Sequence, residues 1–237
     1  MRFILFSLLC VTRHVAAGWR WLAPALLAFC LLMPAAASQA ADGAPDNAAA
    51  WRRLLEGGPD GALRRPPLKG FAEAVARQAV LDRDGAADCR TSWWRRCPSA
   101  DWRAMLQRLR DAAPGDQLAA VNRFVNRLPY MPDLSNYGVS DYWAAPTEFM
   151  ARGGDCEDYA LAKYLSLRAL GFAAADLRIV ALRDAPQDLY HAVLAARLDG
   201  RWLLLDNATP RILAIEATDG REPVYAANES GWWTGRS

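Results

Sequence analysis

A pair of glycines followed by Asp-Cys-Glu-Asp at positions 155–158 opens the segment around which the rest of the chain is arranged. Asp155 is a favourable N-cap residue, and Asp158 three positions later is a carboxylate variant of the capping box. Apolar residues then recur at helical spacing up to Gly171, which suits the left-handed end of a helix. The sequence therefore predicts a largely buried helix with Cys156 in its first turn. The helix dipole there stabilises a thiolate and lowers the thiol pKa, as a nucleophile requires.

The first 40 residues differ in composition from the remainder. They contain no acidic residue, three arginines and an almost wholly apolar run from Leu22 to Met33, followed by small residues. This order is typical of a secretory signal peptide with a long basic region, so we expect residues 1–40 to be removed on export. An uncleaved N-terminal membrane anchor is the alternative, although the apolar run is shorter than the ~20 residues of a membrane span.

Residues 41–67 are rich in Ala, Gly, Pro and Arg and are periodic only around 51–55. This composition predicts a flexible or loosely docked N-terminal arm, and residues 68–237 are then expected to form one domain. Helices are predicted at 71–81, at 102–109, and from an N-cap at Asp116 to Leu128. The aromatic segment 130–146 is predicted to be a long functional loop.

Beyond the central helix, the spacing of apolar residues changes from helical to strand-like. Strands are predicted at 177–182, 189–198 and 201–207, with weaker candidates at 212–215 and 223–225. The Asp199-Gly200 pair between two of these runs is a strong signal for a β-hairpin. Helices that precede an antiparallel sheet indicate the α+β class.

The predicted hairpin brings His191 and Asp206 close together. Counting back from a two-residue turn pairs Val193 with Asp206, and His191 lies on the same strand face as Val193. The two are then diagonal neighbours, and the carboxylate can hold one imidazole nitrogen while the other takes a proton from a thiol. His191 is the only histidine beyond residue 40.

The cysteine pattern sets Cys156 apart. Beyond residue 40 its only companions are Cys89 and Cys97, which are close enough in sequence to close a disulfide loop in an oxidising compartment. The pair could instead be two zinc ligands, although no further histidine or cysteine lies nearby. A Cys89–Cys97 disulfide leaves Cys156 as an unpaired thiol in an exported protein.

Each signal has an ordinary structural explanation. Cys156 could be a small buried hydrophobe, His191 a satisfied core residue and Asp206 a strand end. Together, in an exported chain, they favour a Cys-His-Asp catalytic triad. Nucleic-acid binding is not expected, because 28 basic and 26 acidic residues nearly balance and no basic patch has interleaved aromatics.

Three motifs resemble those of a known family. They are Asp-Tyr-Trp-Ala-Ala-Pro-Thr-Glu-Phe at 141–149, Gly-Gly-Asp-Cys-Glu-Asp-Tyr-Ala at 153–160, and the pairs Tyr190-His191 and Leu205-Asp206. Over roughly 118–210 the chain resembles the bacterial transglutaminase-like cysteine proteinases, and among them the periplasmic proteases of biofilm adhesins.

The resemblance implies a papain-like, or transglutaminase-like, fold with the cysteine on a central helix packed on an antiparallel sheet. It implies that Cys156 attacks, that His191 is general base and then acid, and that Asp206 orients His191. The backbone N–H of Cys156 is the natural first oxyanion donor, and Trp143 or another aromatic residue of the preceding loop is a candidate for the second.

The resemblance also implies calcium dependence, with the ion at Asp155, Glu157 and Asp158. From the residues alone these carboxylates could equally be helix caps. Carboxylates beside Cys156 would raise the thiol pKa unless a bound divalent cation reversed the local field. Backbone carbonyls, water or the 130–146 loop would have to supply the remaining ligands, because calcium takes 6–8 oxygens.

Finally, the resemblance implies a periplasmic location, cleavage of a large outer-membrane adhesin near its N-terminus, and control of biofilm attachment. The implied inhibitory partner is an inner-membrane cyclic-di-GMP receptor that sequesters the protease. A transglutaminase or protein-glutamine amidase remains the alternative, because the same triad would form the same thioester and only the acyl acceptor differs. A non-catalytic binding module is the third possibility.

Overall fold

The computed structural model describes residues 47–60, 69–83, 98–218 and 220–234, all of which fall in one compact unit. The predicted signal peptide and the Cys89–Cys97 pair lie outside these residues. The described helices are α1 (Asn47–Glu56), α2 (Lys69–Arg83), α3 (Pro98–Leu109), α4 (Pro114–Val125), α5 (Asp133–Tyr137), α6 (Pro146–Arg152) and α7 (Cys156–Ala169). None of them is long and apolar enough to cross a membrane.

The described strands form one six-stranded antiparallel sheet in the order β4-β3-β2-β1-β5-β6. They are β1 (Leu177–Asp184), β2 (Leu189–Leu198), β3 (Arg201–Leu205), β4 (Ile212–Ala214), β5 (Arg221–Asn228) and β6 (Gly231–Thr234). Helices therefore precede an antiparallel sheet, which confirms the predicted α+β class.

Helix α7 packs on one face of the sheet and is the centre of the larger core. Its Leu161, Tyr164 and Leu167 are fully buried and share a cluster with Ile179 of β1 and Leu194 of β2. Helices α4 and α6 contact α7, and α2 and α3 contact α6. The predicted central helix is thus a buried element, and its apolar face is fixed against β1 and β2.

The opposite face of the sheet is covered by α1, contrary to the prediction of a loosely docked arm. Trp51, Leu54 and Leu55 are at most 2% exposed and pack against Val180 and Leu182. A ten-residue helix has little stability alone, so its short apolar pattern looked weak in the sequence. The helix gains its stability from the sheet, and the arm prediction is therefore wrong for residues 47–60.

Three smaller features were not evident from the sequence. Helix α4 begins at Pro114 with Ala113 as N-cap, since proline suits the first helical position; Asp116 lies in the first turn and is not the cap. The 130–146 segment contains the short helix α5 and is therefore not all loop. A bulge between Ala181 and Leu182 shifts the pairing with β5.

We predict that Leu54→Ala lowers the free energy of unfolding by about 2–5 kcal/mol, because it opens a cavity under α1. The matched control is Arg53→Ala, an exposed position on the same helix, which should change stability by less than about 0.5 kcal/mol. Urea unfolding followed by circular dichroism measures both. Equal stability of Leu54→Ala and the wild type would contradict the docked position of α1.

Candidate active site

Helix α7 begins at Cys156, and its N-cap is Asp155 as predicted. The side chain of Asp158 stabilises this end of the helix by accepting two backbone hydrogen bonds. One of its oxygens, Oδ2, accepts the backbone N–H of Asp155 at 3.2 Å, and Oδ1 accepts the N–H of Ala144 at 2.6 Å. The buried Asp158 carboxylate therefore joins the 141–146 segment to the first turn of α7.

The glycine pair before Asp155 is required by close backbone approach. Gly153 has a φ of +79°, and a Cβ there would lie 2.2 Å from the Pro129 carbonyl oxygen. A Cβ on Gly154 would lie 2.0 Å from Asp158 Oδ2. Only glycine allows the chain to turn into α7 while Asp158 reaches back over it.

The direction of α7 places Cys156 at one end of the sheet. At the far end of the helix, Arg168 pairs at 2.7 Å with Glu229, just beyond the end of β5. The first turn of α7 is correspondingly close to the beginning of β5. There the pKa of Tyr225 is raised by burial and by the negative charges of Glu157, Asp141 and Cys156. Cys156 itself is 4% exposed.

The predicted His–Asp pair forms at this same end of the sheet. Strand β2 pairs with β3 in the expected register, from Leu198 opposite Arg201 to Leu194 opposite Leu205. Asp206 follows directly, and its Oδ1 lies 2.6 Å from Nε2 of His191. Both side chains are buried. Asp206 faces Nε2, so Nδ1 is the ring nitrogen on the other side of the imidazole.

Electrostatics keep Asp206 ionised. Burial acts to raise its pKa, but the hydrogen bond and charge of His191, the N–H of Ala208 and the charge of Arg221 outweigh burial and lower the pKa to about 2. The Ala208 N–H donates to Oδ1 at 2.9 Å. A carboxylate in this state stabilises a protonated imidazole, as a Cys-His pair requires.

Two further residues hold the backbone around Asp206, and the sequence pattern indicates neither of them. Asn126 Nδ2 donates to the carbonyl of Asp206 at 2.8 Å. Lys163 Nζ donates to the carbonyl of Leu205 at 3.2 Å from within α7. Lys163 is fully buried, and burial lowers its pKa to about 7 while the charge of Asp206 opposes that shift. These contacts join the end of β3 to α4 and α7.

An acidic cluster surrounds Cys156. Asp155, Glu157 and Asp158 were singled out in the sequence, and the fold adds the two acidic residues of the 130–146 segment, Asp133 and Asp141. Carboxylate oxygens lie within 4.8 Å of one another in the set Asp133, Asp141 and Glu157 and in the set Asp133, Asp155 and Asp158. The sequence leaves backbone carbonyls, water or this segment as sources of further ligands, and the structure places Asp133 and Asp141 of the segment in the cluster.

The cluster is crowded with negative charge. Burial, with a smaller contribution from neighbouring carboxylates, raises the pKa of Asp133 to about 6 and that of Glu157 to about 8, against hydrogen bonds that act to lower them. The pKa of Asp158 is raised well above its usual value by burial and by Asp155. Among the described residues, Oδ1 of Asp133 is buried and accepts no hydrogen bond. The thiol of Cys156 donates to Oε2 of Glu157 at 3.2 Å, and a carboxyl in that place opposes thiolate formation.

Trp143 is less suited to the oxyanion role than the sequence suggested. Its side chain lies close to Asp141 and acts to lower the pKa of that carboxyl, against the larger effect of burial. The ring also packs edge-on against Phe71 and lies close over Gly70. As the first residue of α7, Cys156 directs its own backbone N–H outside the helical hydrogen-bond ladder, which keeps it the better donor.

Comparison with known proteins finds the same family that the motifs suggested. Residues 93–232 match the model of the bacterial transglutaminase-like cysteine proteinases. The structure resembles Legionella pneumophila LapG with a TM-score of 0.55 and 31% identity, over 68% of this chain and 87% of that chain. No curated protein matches.

Two further LapG structures from the same organism are also similar, each with a TM-score of 0.55 and 30% identity over 69% of this chain. One is calcium-bound and is covered over 88% of its length, and the other is EGTA-treated and covered over 86%. The family match spans more than half of the chain. The helices and the sheet of this chain agree with the fold of these relatives. The protein belongs to the bacterial transglutaminase-like cysteine proteinases and is a cysteine peptidase.

Proposed function

We propose that the protein is a periplasmic, calcium-dependent endopeptidase that cleaves a large cell-surface adhesin near its N-terminus and so controls biofilm attachment. The main support for the proposed catalytic triad is the 2.6 Å contact between His191 and Asp206. This contact lies at the end of the sheet where α7 begins with Cys156. This arrangement supplies a nucleophile, a base and an orienting carboxylate in one region.

The chemistry follows from the roles of the three side chains. The thiol proton of Cys156 passes to Nδ1 of His191, while Asp206 holds the proton on Nε2 and stabilises the imidazolium. The sulfur attacks the scissile carbonyl carbon, and the oxyanion is stabilised by the N–H of Cys156. His191 then protonates the leaving amine, and the remaining thioester is hydrolysed by a water molecule whose proton His191 accepts.

The acidic cluster fits calcium. Its donors are hard carboxylate oxygens, which suit calcium better than zinc. A buried Asp133 oxygen without a hydrogen bond and several mutually repelling carboxylates are what a dication would stabilise. Asp133, Asp155 and Glu157 would hold it, with Asp141 and Asp158 beside them. Both oxygens of Asp158 already accept backbone N–H groups, so Asp158 contributes least.

A bound calcium ion would place positive charge next to the Cys156 sulfur and so favour the thiolate. The calcium-bound and EGTA-treated forms of the Legionella relative are consistent with a calcium site in this family. The adhesin substrate and an inhibitory inner-membrane cyclic-di-GMP receptor are proposed from the family motifs. The periplasmic location follows from the export signal predicted at residues 1–40.

We predict that Cys156→Ala abolishes cleavage and that Asp206→Asn reduces it severely, because the nucleophile is lost in one and the imidazolium loses its counter-charge in the other. Asp176→Asn is the matched control, since Asp176 pairs with Arg197 away from the site. Mass spectrometry of cell-surface proteins from a deletion strain carrying each variant reports the cleavage. Deamidated or crosslinked glutamines without cleavage would instead establish a transglutaminase or amidase. Residual cleavage by Cys156→Ala would contradict the mechanism.

We predict that Asp133→Asn and Glu157→Gln each weaken calcium binding more than about tenfold, the lower end of the range for residues that only support a metal site. Isothermal titration of EGTA-washed protein measures the affinity, with magnesium as the competing ion. Asp111→Asn, at an exposed position outside the cluster, is the control. Unchanged calcium binding in both variants, or cleavage that persists in EGTA, would contradict the proposed site.

A further inference from the structure

The carboxylate of Asp206 has a second contact that the triad does not use. Both of its hydrogen bonds, from His191 and from the N–H of Ala208, involve Oδ1. The other oxygen, Oδ2, lies 3.0 Å from Nη1 of Arg221, at the start of β5. The angle is not that of a hydrogen bond, so the contact is an ion pair.

This ion pair is shielded from water. Asp206 is 1% exposed and the Arg221 side chain only 18%, so the attraction is screened much less than in a surface pair. Lys163 approaches Asp206 from the α7 side, but its Nζ donates to the carbonyl of Leu205. Arg221 is therefore the cation that faces Oδ2 directly.

Arg221 is itself held in place from three sides. Trp51 of α1 donates its indole N–H to the Arg221 carbonyl at 3.1 Å. The Arg221 N–H donates to the carbonyl of Thr218 at 3.1 Å. Nε lies 3.9 Å from Oδ2 of Asp184, whose carboxylate accepts two hydrogen bonds from Gln187. Helix α1 and the end of β1 thus fix the backbone and the head group of Arg221.

We infer that Arg221 is a positioning residue for the catalytic His–Asp pair. It holds Oδ2 of Asp206, and this keeps Oδ1 on Nε2 of His191. The inference rests on the proposed function of the triad and extends it to a fourth residue, which is connected to the N-terminal helix through Trp51. Guanidinium geometry and charge both suit this place, because the group can contact Asp206 and Asp184 at once.

The inference is tested by the effect of Arg221→Gln on the NMR resonance of the His191 ring proton. The chain has two histidines, His14 and His191, so a protein labelled with ¹⁵N-histidine gives a simple spectrum. In the wild type the ring proton shared by Nε2 and Asp206 should appear far downfield. We expect Arg221→Gln to lose or shift this resonance and to slow iodoacetamide labelling of Cys156, in calcium, by about 10- to 100-fold, by analogy with residues that orient a metal-binding histidine.

Two further variants separate the effect of the Arg221 charge from a general effect of removing an arginine. Arg221→Lys keeps the charge but loses the simultaneous contact with Asp184, so it should restore the resonance and part of the labelling rate. Arg183→Gln is the matched control, because Arg183 pairs with Asp188 and Glu222 and should leave both readouts unchanged. A folded Arg221→Gln with the wild-type resonance and labelling rate would overturn the inference. The resonance needs no cleavage assay, so an inert Cys156 in the wild type would count against the proposed function alone.

If Arg221→Gln does not fold, the double variant Arg221→Gln/Asp206→Asn shows whether Arg221 acts on Asp206. A buried carboxylate that has lost its cation is strongly destabilising, and neutralising it should restore a cooperative thermal transition. Recovery in the double variant would establish that Arg221 acts on Asp206. Failure to recover would show that Arg221 serves packing alone and would overturn the inference.

Discussion

The reactivity of Cys156 depends on two opposing electrostatic effects at the start of α7, the helix dipole and a group of carboxylates. The dipole of a helix supplies about half a positive charge at its N-terminus, which favours a thiolate on Cys156. Against it stand five carboxylates, of which Glu157 accepts a hydrogen bond from the thiol itself. Burial removes the water that would otherwise screen them. The proposed dication, held by the same carboxylates, would supply the positive charge that the dipole alone does not. In this account calcium acts on the reactivity of the cysteine as well as on local structure.

The other half of the site depends on the register of one hairpin. The Asp199-Gly200 turn sets Leu198 opposite Arg201, and the same register continues until Asp206 reaches His191. A shift by one residue would turn every following side chain to the other face and separate the pair. Contacts from Asn126 and Lys163 hold the backbone at this point. The backbone beside the His–Asp pair is therefore held from the face of the sheet on which α4 and α7 pack.

Local patterns were sufficient to predict α7 and the hairpin, because a capping sequence and a tight turn act over a few residues. They predicted less where stability comes from distant contacts. Helix α1 has only three buried side chains, and its significance depends on β1 and β5. Lys163 occupies a position that a sequence would assign to the surface, yet it is fully buried. Asp133 and Asp141 join the acidic cluster only because the 130–146 segment folds back over α7. The signal peptide and the Cys89–Cys97 disulfide stay predictions.

The reactivity of Cys156 with and without calcium tests most directly whether the ion activates the thiol. Calcium-saturated and EGTA-treated protein would each be labelled with iodoacetamide at neutral pH, and peptide mapping would separate Cys156 from Cys89 and Cys97. We predict that calcium makes Cys156 react many times faster, and that His191→Ala or Glu157→Gln removes most of this acceleration. Equal labelling rates in the two states, with calcium bound in one of them, would contradict the claim that the ion activates the thiol.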